Sequence, residues 1–163
     1  MMMKKKHMPS FAALLLVSAC TVALAETAAP AKAPWSQLQR GRYLVQIAGC
    51  NDCHTPNYVQ QNGKVHEKLW LTGDALGWSG PWGTTYPTNL RLLLAGMNEQ
   101  QWLTHARHME PRPPMPWFNV RAMTDADLKA IYAYTRSLGA AGAAAPAYVP
   151  PGTKAAGPVV QFP

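Results

Sequence analysis

Thiols are scarce in this chain: there are three cysteines in 163 residues, and none follows Cys53. That excludes a structural zinc site built from two separated thiolate pairs, since such a site takes about four Cys or His ligands. No βαβ pattern surrounds Cys50 and Cys53, which removes the setting of a thioredoxin-like motif. Long hydrophobic runs are also missing. The apolar stretch near the start is interrupted by Ser18 and Thr21 and is poor for a membrane span. No paired carboxylates and no nucleophile–base arrangement can be read. Acidic residues number only eight against fifteen basic ones. Setting aside Lys4, Lys5 and Lys6 of the leading segment brings the net charge from +7 to +4. An excess of that size does not argue for nucleic-acid binding.

What is present centres on Cys50-Asn51-Asp52-Cys53-His54. Two thiols three positions apart, followed at once by an imidazole, form the attachment pattern of a c-type haem. Each thiol adds to a haem vinyl group to give a thioether, and the adjacent His is delivered to one axial face of the iron. A disulfide across the two-residue loop is the plain alternative, but it gives the His no purpose. Six Trp and six Tyr supply aromatic bulk for a core around a large apolar cofactor.

Residues 1–25 read as a secretory signal, with Lys4 to Lys6 as its basic start and Phe11 to Leu24 as its apolar stretch. Ala23-Leu24-Ala25 is a small-x-small cleavage site before Glu26. Val17-Ser18-Ala19-Cys20 resembles a lipobox, which would leave Cys20 lipidated and the protein tethered. The apolar character of Thr21 to Ala25 favours the soluble product. Residues 26–34 form an Ala/Pro linker, 35–139 the single domain, and 140–163 an Ala/Gly/Pro-rich tail read as an extended strap or a disordered end.

Within the domain, a first helix is predicted from about Trp35 to Ala48, ended by Gly49, with Leu38, Val45, Tyr43 and Ile47 on its apolar faces. Gly41 inside it costs up to ~1 kcal/mol against Ala, unless another helix approaches closely there. Leu69 to Leu90 lacks a clear period and reads as a loop. Trp70, Trp78 and Trp82 in it require something large and apolar beneath, and a haem edge would serve. Asn98 with Gln101, and Met97 with Trp102, form a capping box and a staple for a helix reaching His108. Thr124 and Met123 repeat the arrangement for a last helix to Leu138, with Leu128, Ile131, Tyr132 and Leu138 on its apolar side.

His54 is the proximal ligand in this reading. The candidates for the sixth position are Met97, Met109, Met115, Met123, His66, His105 and His108. Met97 and Met123 already act as staples, His66 lies in a polar loop, and His105 and His108 read as paired surface histidines. Met115 sits in Arg112-Pro113-Pro114-Met115-Pro116-Trp117, where proline fixes φ and biases its predecessor to an extended form. A thioether so held loses little entropy on meeting iron, and it belongs to the ligand repertoire of haem. His105 and His108 are the alternatives. The Pro81 carbonyl is a further expectation, as acceptor for the Nδ1 proton of His54.

With these pieces in place the chain resembles the class I (cytochrome c-like) monohaem cytochromes, especially bacterial periplasmic ones and the cytochrome subunits of membrane-associated dehydrogenases. The matching residues are Gly41-Arg42-Tyr43-Leu44, Cys50 to Pro56, Gly83 with Asn89, Pro114-Met115-Pro116-Trp117, and Met123 to Tyr134. The resemblance implies an all-α fold of three to five helices around one covalent haem c, with the first and last helices crossing near Gly41 and Leu128. It implies thioethers at Cys50 and Cys53 and axial ligation by His54 and Met115. Those dehydrogenase subunits usually carry several haem motifs, where this chain has one.

The expected function is a periplasmic single-electron carrier rather than an enzyme. Its expected partners are a dehydrogenase, an oxidase or a membrane quinol-oxidising complex, with membrane association only through lipidated Cys20 or a partner. Haem propionates would take about two from the net charge of such a protein. The rivals are a haem enzyme or gas-binding protein with a labile sixth ligand, and a fixed electron-transfer subunit of a larger complex.

Overall fold

The structure, a computed structural model, describes residues 34–163. The signal segment, the Cys20 lipobox and all but the last residue of the linker lie outside the described residues.

Helix α1 spans Gln37–Ile47. It starts where the Ser36 side chain accepts a hydrogen bond from the Gln39 N–H while the Gln39 side chain accepts one from the Ser36 N–H, so two otherwise unpaired donors are satisfied. Ala48 closes it, and Gly49 then turns the chain at a φ of 71° into the short helix α2, Cys50–His54. The partner of α1 is the last helix, α6, Asp125–Ser137, capped by the Thr124 side chain on the Asp127 N–H. Gly41 explains why they meet. A Cβ there would run into the Ala130 carbonyl and lie 2.6 Å from the Tyr134 Cβ. The glycine therefore trades helix propensity for a close crossing, just beyond Leu128 on α6. Leu44 and Val45 of α1 and Leu128, Ala130, Ile131 and Tyr134 of α6 are buried in the same core. Full burial of a Leu or Val contributes about 1.5–3 kcal/mol each. Leu38, Tyr43 and Ile47, expected on apolar faces of α1, are instead exposed, because the crossing at Gly41 turns the Gly41–Leu44–Val45 stripe inward.

Between these helices lie α3 (Leu90–Ala95), α4 (Glu99–His108) and α5 (Trp117–Ala122). The Asn98–Gln101 capping box forms in full at the start of α4. Trp102 is buried and its indole N–H donates to the Leu128 carbonyl at 2.9 Å, while Tyr132 donates to the Met97 carbonyl at 2.8 Å. Met97 and Met123 both pack against the core. The mostly helical fold is thus in place with six helices among the described residues, rather than three to five. Three of them, α2, α3 and α5, are only five or six residues long.

The stretch read as a loop contains a hairpin. Strands β1 (Gly77–Gly80) and β2 (Gly83–Thr85) pair antiparallel, with Pro81 and Trp82 at the turn. Four and three residues are too few for an alternating pattern to be visible in sequence. The tail returns to complete the sheet. Strand β3, Val159–Gln161, lies parallel to β1 with Gly77 opposite Val159, giving the order β2–β1–β3. On the other edge Val149 exchanges backbone hydrogen bonds with Thr84 at 2.8 and 3.0 Å.

The three tryptophans find aromatic partners within the protein. Trp70 is buried against Tyr58, with ring centroids 5.8 Å apart, and donates to the Val65 carbonyl. Trp78 and Trp82 meet Phe162 of the tail at 5.9 and 5.5 Å. Arg91 holds these parts together. Its buried guanidinium donates to the carbonyls of Lys68, Leu138 and Gly139, so one side chain ties α3 to the end of α6 and to the 3-10 turn Glu67–Leu69.

Candidate functional site

Helix α2 carries Cys50, Cys53 and His54 on little more than one turn. Residues three apart on a helix lie on one face, so both sulfurs are offered together. Both are free thiols. Burial pushes the Cys50 thiol up to about 11. Burial also raises Cys53, with the charges of Asp52 and Asp74 adding to the effect. At neutral pH the pair is therefore S–H rather than thiolate, a poor metal-ion or nucleophile site. Among the described residues no group of three or more His, Cys, Asp or Glu side chains gathers, so the zinc alternative finds no further ligands of those types.

His54 is buried, and its Nδ1 lies 2.7 Å from the Thr88 carbonyl. A carbonyl only accepts, so Nδ1 carries the proton and donates it, and Nε2 keeps its lone pair. Burial lowers the pKa of the ring, with the Thr88 bond opposing it, and the neutral form prevails. This corrects the expectation placed on Pro81. That residue sits at the exposed hairpin turn, and Thr88 supplies the acceptor.

The wall behind His54 is built from two loops. Gly73 N–H donates to the His54 carbonyl at 2.8 Å, and Asp74 N–H to the Pro87 carbonyl at 3.2 Å. Thr55 donates to Asn51 at 2.7 Å and accepts from the Leu71 N–H at 2.8 Å, which fixes the end of α2 against the buried Leu71. A cleft of about 210 Å³ opens beside Cys53, lined in part by Asp52, Asp74, Leu76 and Trp78. The Trp78 indole N–H is buried with no acceptor among the described residues.

Met115 is half-buried and lies outside α2, in the segment before α5. That segment is fastened at several points. Thr85 donates to the Pro113 carbonyl at 2.8 Å, the Arg112 guanidinium sits 3.8 Å from the centre of the Tyr148 ring, and Tyr148 donates to the Trp82 carbonyl at 2.8 Å. Arg121 holds the preceding turn through the carbonyls of His108 and Met109 and the Glu110 carboxylate. The three histidine candidates have local partners. His66 Nδ1 accepts from the Lys68 N–H, the exposed His108 bonds the Thr104 carbonyl, and half-buried His105 lies against Trp102 at 6.2 Å between centroids.

The donor set fits a covalently held haem. Two free thiols on one helical face suit thioether formation, and one imidazole nitrogen is free while the other is held. Of the residues singled out in the sequence, Cys50, Cys53 and His54 share α2, while Met115 lies in the separate segment before α5. Sequence reasoning missed the supporting set of Thr88, Thr85, Arg91, Arg121 and Tyr148. Asn89, named in the sequence, precedes the apolar run Leu90 to Leu94 and does cap α3. The others act on backbone carbonyls, which leave no mark in residue type.

Comparison with known proteins agrees with this donor set. The family Cytochrome c matches residues 38–139. The cytochrome subunit of fructose dehydrogenase from Gluconobacter japonicus is 31% identical over 115 residues, covering 64% of this chain and 22% of the relative. The chain thus spans about a fifth of that relative's length. No solved structure matches significantly.

Proposed function

The chain belongs to the cytochrome c family and carries covalently bound haem c for electron transfer, and from that premise we propose that it is a single-electron carrier of the periplasm with His54 and Met115 as axial ligands. Bound haem supplies a one-electron Fe(III)/Fe(II) couple. The chain's own residues do the rest. Cys50 and Cys53 hold the porphyrin from one face of α2, and His54 presents Nε2 while Thr88 anchors its other nitrogen. That anchor raises the ring's basicity and fixes its orientation, so little rearranges when an electron arrives.

The observation that carries this reading is the neutral, buried His54 with Nδ1 occupied and Nε2 free. Support for Met115 comes from the way its segment is joined to the same region. Thr85 grips Pro113 and Thr88 grips His54, three residues apart on one stretch of chain. Three residues span at most ~11 Å, about 3.6 Å each. A methionine sulfur disfavours the ferric state relative to a second histidine, and burial acts in the same direction. The periplasmic location rests on the leading 25 residues, read as an export signal.

The test is an optical spectrum of both oxidation states with carbon monoxide added to the reduced protein. A low-spin haem that ignores carbon monoxide is expected; rapid binding would favour an enzyme or gas-binding protein with an open site. A second reading is supported by the relative, whose name is that of a dehydrogenase subunit. In that reading the chain is a fixed electron-transfer subunit, and it would co-purify with a membrane dehydrogenase at constant stoichiometry. A free carrier would dock only transiently, through a small contact.

A further inference from the structure

Asn89 is buried at the start of α3 and makes three hydrogen bonds in two directions. Its Oδ1 accepts from the Leu92 N–H at 3.0 Å, and its Nδ2 donates to the carbonyls of Ala141 and Ala143 at 2.8 and 3.1 Å. The two alanines begin the C-terminal strap. Arg91, two residues on, holds the Leu138 and Gly139 carbonyls where the strap leaves α6. The first turn of α3 and the first residues of the strap are therefore locked to each other. The residue before Asn89 is Thr88, whose carbonyl accepts the Nδ1 proton of His54. That carbonyl shares a rigid peptide plane with the Asn89 nitrogen, so fixing Asn89 fixes the direction in which the carbonyl points.

We infer that Asn89 is a positioning residue through which the C-terminal strap holds the Thr88 carbonyl on His54 and so sets the electron affinity of the haem iron. The inference rests on His54 being the proximal ligand. A held acceptor on Nδ1 makes the imidazole a stronger donor and favours ferric iron. Loosening the strap weakens that bond and raises the reduction potential. The strap is then a tuning element as well as an aromatic partner for Trp78 and Trp82.

The test uses the full haem-loaded protein and two variants that reach the same contact from opposite sides. Asn89→Ser keeps an oxygen for the α3 cap but removes both donations to the strap. Gly142→Ala acts from the strap, where the residue has a φ of 75° and a Cβ would lie 3.1 Å from Asn89 Nδ2 and 3.2 Å from Thr72 Cβ. Thr124→Ala removes the α6 cap and serves as a control for general destabilisation. Denaturing mass measurement first establishes that every protein carries haem. A redox titration is then paired with NMR of the His54 Nδ1 proton in the reduced state.

Asn89→Ser and Gly142→Ala should each raise the potential by about the equivalent of a tenfold change in the ferric-to-ferrous ratio, roughly 59 mV for one electron. Each should also speed exchange of the Nδ1 proton, and Thr124→Ala should do neither. If both variants keep the parent potential and proton exchange, or if Thr124→Ala shifts them equally, the inference fails while the carrier reading stands. If the parent protein carries no haem, both fall together.

Discussion

At the residue scale, His54 shows how a single hydrogen bond settles a chemical identity. A carbonyl at 2.7 Å dictates which nitrogen is protonated, and with it which nitrogen is offered to iron. Glu67 is a second such residue, remote from the haem motif. Burial pulls its carboxyl up, but hydrogen bonds from Tyr134 and Arg42 outweigh it and hold the group below its usual 4.5. Tyr134 is raised correspondingly, by burial first and then by the same carboxylate. A carboxyl depressed in the folded state contributes stability above its unfolded pKa, and that contribution is lost as pH falls through the folded value. Tyr134→Phe should therefore cost about 1 kcal/mol at neutral pH, and partial exposure of Glu67 trims the ionic share. The difference between variant and parent should shrink in acid titrations below pH 4.5, and a pH-independent difference would contradict the assignment.

At the element scale, the three longer helices were legible and the sheet was not. Asn98 and Thr124 caps with apolar spacing mark α4 and α6, Gly49 marks the end of α1, and Gly41 allows the close approach that the Ala130 carbonyl makes. Gly41→Ala should destabilise the protein by about 1–3 kcal/mol or more, the usual cost of overpacking. Thermal denaturation of the two proteins measures it, and an unchanged midpoint would mean that the helices separate freely. Strands of three and four residues lack the length to show alternation, and β3 depends on a partner some eighty residues away. The haem motif was readable because its chemistry fixes residue type and spacing at once. Thr88, by contrast, contributes only a carbonyl, which every residue possesses. The expectation for Pro81 named the right kind of group, a backbone carbonyl, on the wrong residue, since Thr88 makes the bond.

At the scale of the whole molecule, the chain closes on itself. The strap leaves α6 under Arg91 and Asn89, passes Thr84 at Val149, and ends on β1 with Phe162 against Trp78 and Trp82. Aromatic contacts of this kind contribute about 0.5–1.5 kcal/mol beyond the area they bury. Phe162→Ala should lower stability by about 1 kcal/mol and speed tryptic cleavage after the exposed Lys154. Equal cleavage rates in variant and parent would show that the aromatic contact does not hold the strap. The same closure brings the Met115 segment, through Thr85 and Tyr148, onto the hairpin that leads to Thr88. The segments that carry the two proposed iron ligands are thereby joined through one stretch of chain, Thr85 to Thr88.

The most direct measurement is the oxidised-state absorption spectrum of the parent protein beside that of Met115→Ala. A weak sulfur-to-iron band in the red is expected in the parent, together with its loss and conversion to a high-spin or water-ligated iron in the variant. A variant spectrum indistinguishable from the parent's would contradict the account, because some other side chain would then hold the sixth position.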